Sequence, residues 1–94
     1  MDDLELFNRL ARIARPAHTD YTPLLTLDTP WPETGLDSMD SLMMSIFYSD
    51  IYGVPEEIIK ELTPQTPAEM IAQIKEHKTK EPTSIEEAVG AVQW

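Results

Sequence analysis

Residues 38–52, SMDSLMMSIFYSDIY, constrain the fold more than any other stretch. Asp37 stands before them as an N-cap, with Asp40 at the third helical position as an acidic variant of the capping box. Gly53 follows as a C-terminal cap. Between these signals the spacing predicts one helix. Met39, Leu42, Met43, Met44, Ile46, Phe47, Tyr48, Ile51 and Tyr52 cover nearly its whole circumference. A helix that is apolar all round must be enclosed on several sides or must bind something. Either way, the other elements have to be arranged around it.

Those elements read as further helices. Residues 3–15 form an amphipathic helix with Leu6, Leu10 and Ile13 at helical spacing and Phe7 and Ala14 beside them. Asp2 or Asp3 caps its start, its arginines gather toward the negative end of the dipole, and Pro16 closes it. Residues 16–36 hold four prolines and no helical period. They form a long connection with a short turn near 24–27, packed down by Leu24, Leu25, Leu27 and Trp31. Residues 55–61 suggest a short third helix starting at Pro55. Thr66, Pro67 and Glu69 open a fourth that runs to about Lys78, with Met70, Ile71 and Ile74 facing inward. In the tail, Ser84 with Glu87, or Thr83 with Glu86, makes another capping box, for a short fifth helix or a segment that orders only when docked. Ile85, Ala88, Val89 and Val92 share one of its faces, and Trp94 is expected to touch something. No stretch alternates as a strand, so the class is all-α. We divide the chain into a helical domain, residues 1–80, and a C-terminal extension, residues 81–94.

With 94 residues, the chain has a thin core and no cysteine to staple it or to act as a nucleophile. The net charge is −10, and all of it falls after residue 15. That sign argues against nucleic acid and favours solubility or basic partner surfaces. The acidic opening, Met1-Asp2-Asp3, does not resemble a signal peptide, and no apolar run has membrane-spanning length. A cytoplasmic monomer without membrane insertion is expected. His18 and His77 read as surface residues rather than catalytic ones. The acid pairs Asp37/Asp40 and Glu56/Glu57 read as solvated faces, with no EF-hand loop and no metal site expected. No convincing catalytic triad is seen.

Ser38 and Ser41 both follow an aspartate at the start of the second helix. Free N–H groups and the dipole favour a negatively charged substituent there, although Asp37 and Asp40 oppose it. GLDSMDSLMMSIFYSDIYGVP, residues 35–55, resembles the modification segment of acyl carrier proteins, whose pattern is Gly-x-Asp-Ser-Leu/Met, a recognition helix, and an apolar or aromatic residue with glycine about fifteen residues on. Gly35, Asp37, Ser38, Met39, Tyr52 and Gly53 match it in type and spacing. The order of helices is similar too, over residues 3–78. Asp40-Ser41-Leu42 is the more familiar triplet, but the intervals to Gly35 and to Tyr52-Gly53 favour Ser38.

The resemblance implies a four-helix bundle with a long first loop. It also implies that a phosphopantetheinyl transferase moves the 4'-phosphopantetheine of coenzyme A onto Ser38. The thiol of that arm then carries an acyl group as a thioester between an acyl-loading enzyme, a ketosynthase or an acyltransferase. Gly35, Asp37 and Met39 would belong to the motif met by the transferase. Asp40, Leu42, Met43, Ile46, Phe47 and Asp50 would face partner enzymes, and Met39 and Leu42 would touch partners or line an acyl cavity. Carriers of fatty-acid synthesis line this helix with glutamates. Here Met43, Ile46, Phe47 and Ser49 take the corresponding turns, with only Asp40 and Asp50 acidic. We therefore expect a specialised lipid, polyketide or secondary-metabolite pathway with more apolar docking, unless the loop or tail, through Trp31 or Trp94, covers the surface. Two alternatives stay open: a peptidyl or aryl carrier of nonribosomal synthesis, and an adaptor without an arm that grips a partner with its second helix.

Overall fold

The computed structural model describes residues 2–14 and 21–92, and every regular element among them is helical. The first helix, α1, spans Asp3–Ala14. Asp2 caps it, its Oδ1 accepting from the N–H groups of Leu4 at 3.0 Å and Glu5 at 3.3 Å. The buried stripe is Leu6, Phe7, Leu10 and Ala11, while Ile13 and Ala14 are only partly buried. The expected end at Arg15 and Pro16 lies outside the described residues, as do His18 and Trp94.

The long connection is held to α1 by a polar side chain. Asn8 donates from Nδ2 to Leu24 O at 3.1 Å. Its Oδ1 accepts from Leu24 N–H at 2.8 Å and from the Tyr21 hydroxyl at 2.6 Å. One amide thereby satisfies both backbone groups of a loop residue that would otherwise need water. Further on, Leu27 O accepts from Ala68 N–H at 2.9 Å, and Trp31 N–H donates to Gln65 O at 3.3 Å. Leu24, Leu27 and Trp31 pack against the core as expected, Trp31 meeting Phe7 with ring centroids 6.1 Å apart. Leu25 does not, and is 94% exposed. Its neighbour's backbone is fixed by Asn8, which turns the next side chain outward.

The central helix, α2, spans Ser38–Tyr52 and has the bounds its caps predict. It contacts α1 and all three later helices: α3 (Glu56–Ile59), α4 (Pro67–Glu76) and α5 (Ile85–Val92). Its buried residues are Met44, Phe47, Tyr48, Ser49, Ile51 and Tyr52, none of them in the first six positions. In the first turns Met39 is 69% and Leu42 56% exposed. The helix is thus enclosed at one end and open at the other, although its composition is apolar throughout. Phe47 and Ser49, expected on exposed turns, are corrected by this: Phe47 lies in the core, and the Ser49 hydroxyl is buried where it donates to Val54 O.

Gly53 ends α2 in the left-handed region, φ 62°. The chain returns past this point after α4. Tyr52 O accepts from Thr79 N–H at 2.9 Å and Lys80 N–H at 3.3 Å, and Gly53 O accepts from the Thr79 hydroxyl at 2.6 Å. A Cβ at residue 53 would collide with Thr79 Oγ1.

Thr66 caps α4, accepting from Glu69 N–H at 3.1 Å, and Met70, Ile71 and Ile74 are buried as expected. Before α5, Ser84 Oγ accepts from Glu87 N–H at 3.1 Å, while the Thr83 hydroxyl and N–H donate to the Glu87 carboxylate. Those bonds hold the Glu87 carboxyl below its ordinary range. Ala88 and Val92 enter the same core as α1 and α2, with Ile85 and Val89 partly buried beside them. No helix among the described residues is long and apolar enough to cross a membrane.

Candidate functional site

The open end of α2 is prepared by the turn that precedes it. Residues Trp31–Glu33 wind one 3-10 turn, after which the Thr34 hydroxyl donates to Trp31 O at 2.7 Å and accepts from Leu36 N–H at 3.2 Å. Gly35 bends the chain with φ 82°, in open space, and Leu36 drops into the core. Asp37 then caps α2. Its Oδ1 accepts from Asp40 N–H at 2.9 Å, and its own N–H donates to Asp40 Oδ2 at 3.2 Å. A cap of this kind is worth about 1 kcal/mol and fixes where the helix begins.

The two serines are placed differently by this arrangement. Ser38 is the first helical residue; it is exposed, and its hydroxyl makes no hydrogen bond to any described residue. Ser41 lies one turn on, half-buried, and its hydroxyl donates to Asp37 O at 3.1 Å. Such bonding to the preceding turn is the usual fate of a serine inside a helix.

Beside Ser38 lies an open groove of about 570 Å³. Its floor is one stripe of α2: Ser38, Ser41, Leu42 and Ser45. Trp31, Pro32 and Leu36 form one wall, and Leu62, Thr63 and Pro64, which precede α4, form the other. Asp37 stands at its edge, and among the described residues no lysine, arginine or histidine lines it. The Ser45 hydroxyl faces two acceptors, Ser41 O at 3.2 Å and Met70 Sδ at 3.7 Å. Met70, whose Sδ meets Ser45, is only 2% exposed, so the floor closes on filled core there.

Of the residues expected to meet partners, Asp40, Leu42, Met43, Ile46 and Asp50 all keep exposed or half-exposed side chains, whereas Phe47 does not. Met39 projects fully, outside the groove. Trp31, suspected of covering α2, forms a wall near Ser38 and leaves Met39 and Leu42 open. The fifth helix approaches α2 at Ile51, far along the helix from Ser38. Ser45 was not singled out from sequence, although its seven-residue spacing from Ser38 puts both on one helical face. No local signal marks Leu62, Thr63 or Pro64.

Among the described residues no group of three or more histidines or acids could hold a metal ion. Comparison with known proteins returned no match among family models, curated proteins or solved structures.

Proposed function

We propose that the chain is an acyl carrier protein, modified on Ser38 with 4'-phosphopantetheine and serving a specialised lipid, polyketide or secondary-metabolite pathway. In this reading α1, α2, the short α3 and α4 are the four-helix carrier bundle, with α5 as an addition to it. The observation that carries the reading is the contrast between the serines. An exposed primary alcohol without a hydrogen-bond partner among the described residues sits where a rigid helix starts, and the neighbouring hydroxyl is committed to the backbone.

The residues present suit such a group. Ser38 Oγ is open to a transferase, and the groove that begins at it offers apolar walls and serine oxygens to an amide-bearing chain. The arm supplies the thiol that holds the acyl group. The chain's own part is to fix the attachment point, through the Asp37–Asp40 capping box, and to present Met39, Leu42 and the half-exposed Met43 and Ile46 to enzymes that load and use the cargo.

Intact mass after incubation with coenzyme A and a broad-specificity phosphopantetheinyl transferase tests this. The parent and Ser41→Ala should gain one phosphopantetheine, and Ser38→Ala none. Labelling lost only in Ser41→Ala would move the site one turn. An unlabelled parent would favour the adaptor reading, for which the exposed Met39 and Leu42 are the supporting observation.

A further inference from the structure

We infer that the groove beside Ser38 selects a short acyl group bearing a protonated amine, an aminoacyl cargo, over a long alkyl chain. The inference rests on the carrier reading and deepens it.

The argument starts from where the hydroxyl protons go. A serine hydroxyl has one proton and two lone pairs. Ser41 donates its proton to Asp37 O, and Ser45 donates toward Ser41 O or Met70 Sδ. Both therefore keep lone pairs, and the floor acts as a row of acceptors. A saturated chain laid on it would strip water from those oxygens and return no hydrogen bond, which is unfavourable. A cargo that donates hydrogen bonds would replace the lost water.

Charge narrows the choice. With Asp37 at the edge and no cationic side chain among the described residues of the lining, an acyl group ending in a carboxylate would meet repulsion without a counter-ion there. An ammonium meets acceptors and an anion. Length is limited by packing. Met70, which meets the floor at Ser45, is buried, so a chain too long for the groove could continue into the core only by displacing it. The Trp31 and Leu62 walls still give apolar contact to a small side chain.

The test uses the full chain loaded at Ser38 with pantetheine analogues carrying alanyl, butyryl, succinyl or octanoyl groups through an amide in place of the thioester. Amide chemical shifts are compared with those of the chain bearing the unloaded arm. The alanyl group is expected to shift Ser41, Ser45, Leu62 and the Trp31 indole. A hydrogen bond to a charged donor should raise its docked population about tenfold over butyryl. Succinyl and octanoyl should leave these resonances near the unloaded values. In Ser45→Ala, and separately in Ser41→Ala, with helicity checked by circular dichroism, the alanyl shifts should shrink toward those of butyryl. Octanoyl shifts equal to or larger than alanyl shifts would overturn the inference, as would alanyl shifts that survive both substitutions. Either result leaves the carrier reading standing, because the mass shows Ser38 loaded. A chain that takes no arm overturns both.

Discussion

Two glycines adopt positive φ, Gly35 at 82° and Gly53 at 62°, and they differ in what surrounds them. Alanine at either position enters the left-handed region at a cost of about 1 kcal/mol or a little more. At Gly35 the added methyl meets nothing within 4 Å, so Gly35→Ala should lose only that much. At Gly53 the new methyl also collides with Thr79 Oγ1, on the segment tied to the end of α2 by three hydrogen bonds. Overpacking adds about 1–3 kcal/mol, so Gly53→Ala should lose about 2–4 kcal/mol in urea denaturation. Equal losses for the two variants would mean that the α4–α5 connection does not hold this position in solution. Gly53 was readable from sequence as a helix cap. The second demand on it was not, because Thr79 is brought there by the path of the chain after α4.

At the level of helices, the same division separates what could be read from what could not. The bounds of α2 were legible because Asp37, Asp40 and Gly53 act within one turn of their own positions. Which half of α2 is buried was not legible, since Met39 and Leu42 near its start are as apolar as Phe47 and Ile51 near its end. The difference arises from where α4 and α5 land, and it buries Phe47, expected to meet partners, and Ser49, expected on an exposed turn. The Asn8 clasp was also hidden, because an asparagine on an amphipathic helix reads as surface. The candidate site was half legible: Ser38, Asp37 and Leu42 come from one stretch, whereas the facing wall comes from the approach to α4. For α5 the inward face was legible, and its docking can be measured. Val92 is 1% exposed, whereas Val89 is only partly buried. Val92→Ala removes two buried carbons and leaves a cavity, a loss of about 2 kcal/mol. Val89→Ala should cost clearly less. If both substitutions leave the urea midpoint unchanged, α5 contributes nothing to the core in solution.

Across the whole molecule, the start of α1, the end of α2 and the end of α4 meet around two buried tyrosines. Asp3 and Lys75 pair at 2.8 Å, both about one-third exposed, and the Lys75 ammonium lies 5.8 Å from the centre of the Tyr52 ring. The rings of Tyr48 and Tyr52 stack with centroids 6.2 Å apart. Neither hydroxyl has a hydrogen-bond partner among the described residues. Burial, reinforced by the Asp3 charge, pushes Tyr52 up to about 12 and Tyr48 well above its ordinary value. Burial also raises Tyr21, against the weaker opposing effects of Leu24 and Arg12. Unfolded tyrosines ionise near pH 10. Above that pH the native state holds more protons than the unfolded state, so stability must fall as pH rises. The tyrosine contribution is complete below pH 10 and is lost from there to about 12, the value for Tyr52. An alkaline titration should therefore show tyrosinate absorbance and loss of helicity developing together, above the range of free tyrosine. Removing one unpaired hydroxyl reduces the linkage. Tyr48→Phe should raise stability at neutral pH by about 1 kcal/mol and move the alkaline midpoint upward. Tyrosinate forming at the ordinary pH with helicity intact would show that the junction of α1, α2 and α4 admits water, and that the ion pair of Asp3 and Lys75 does not seal it.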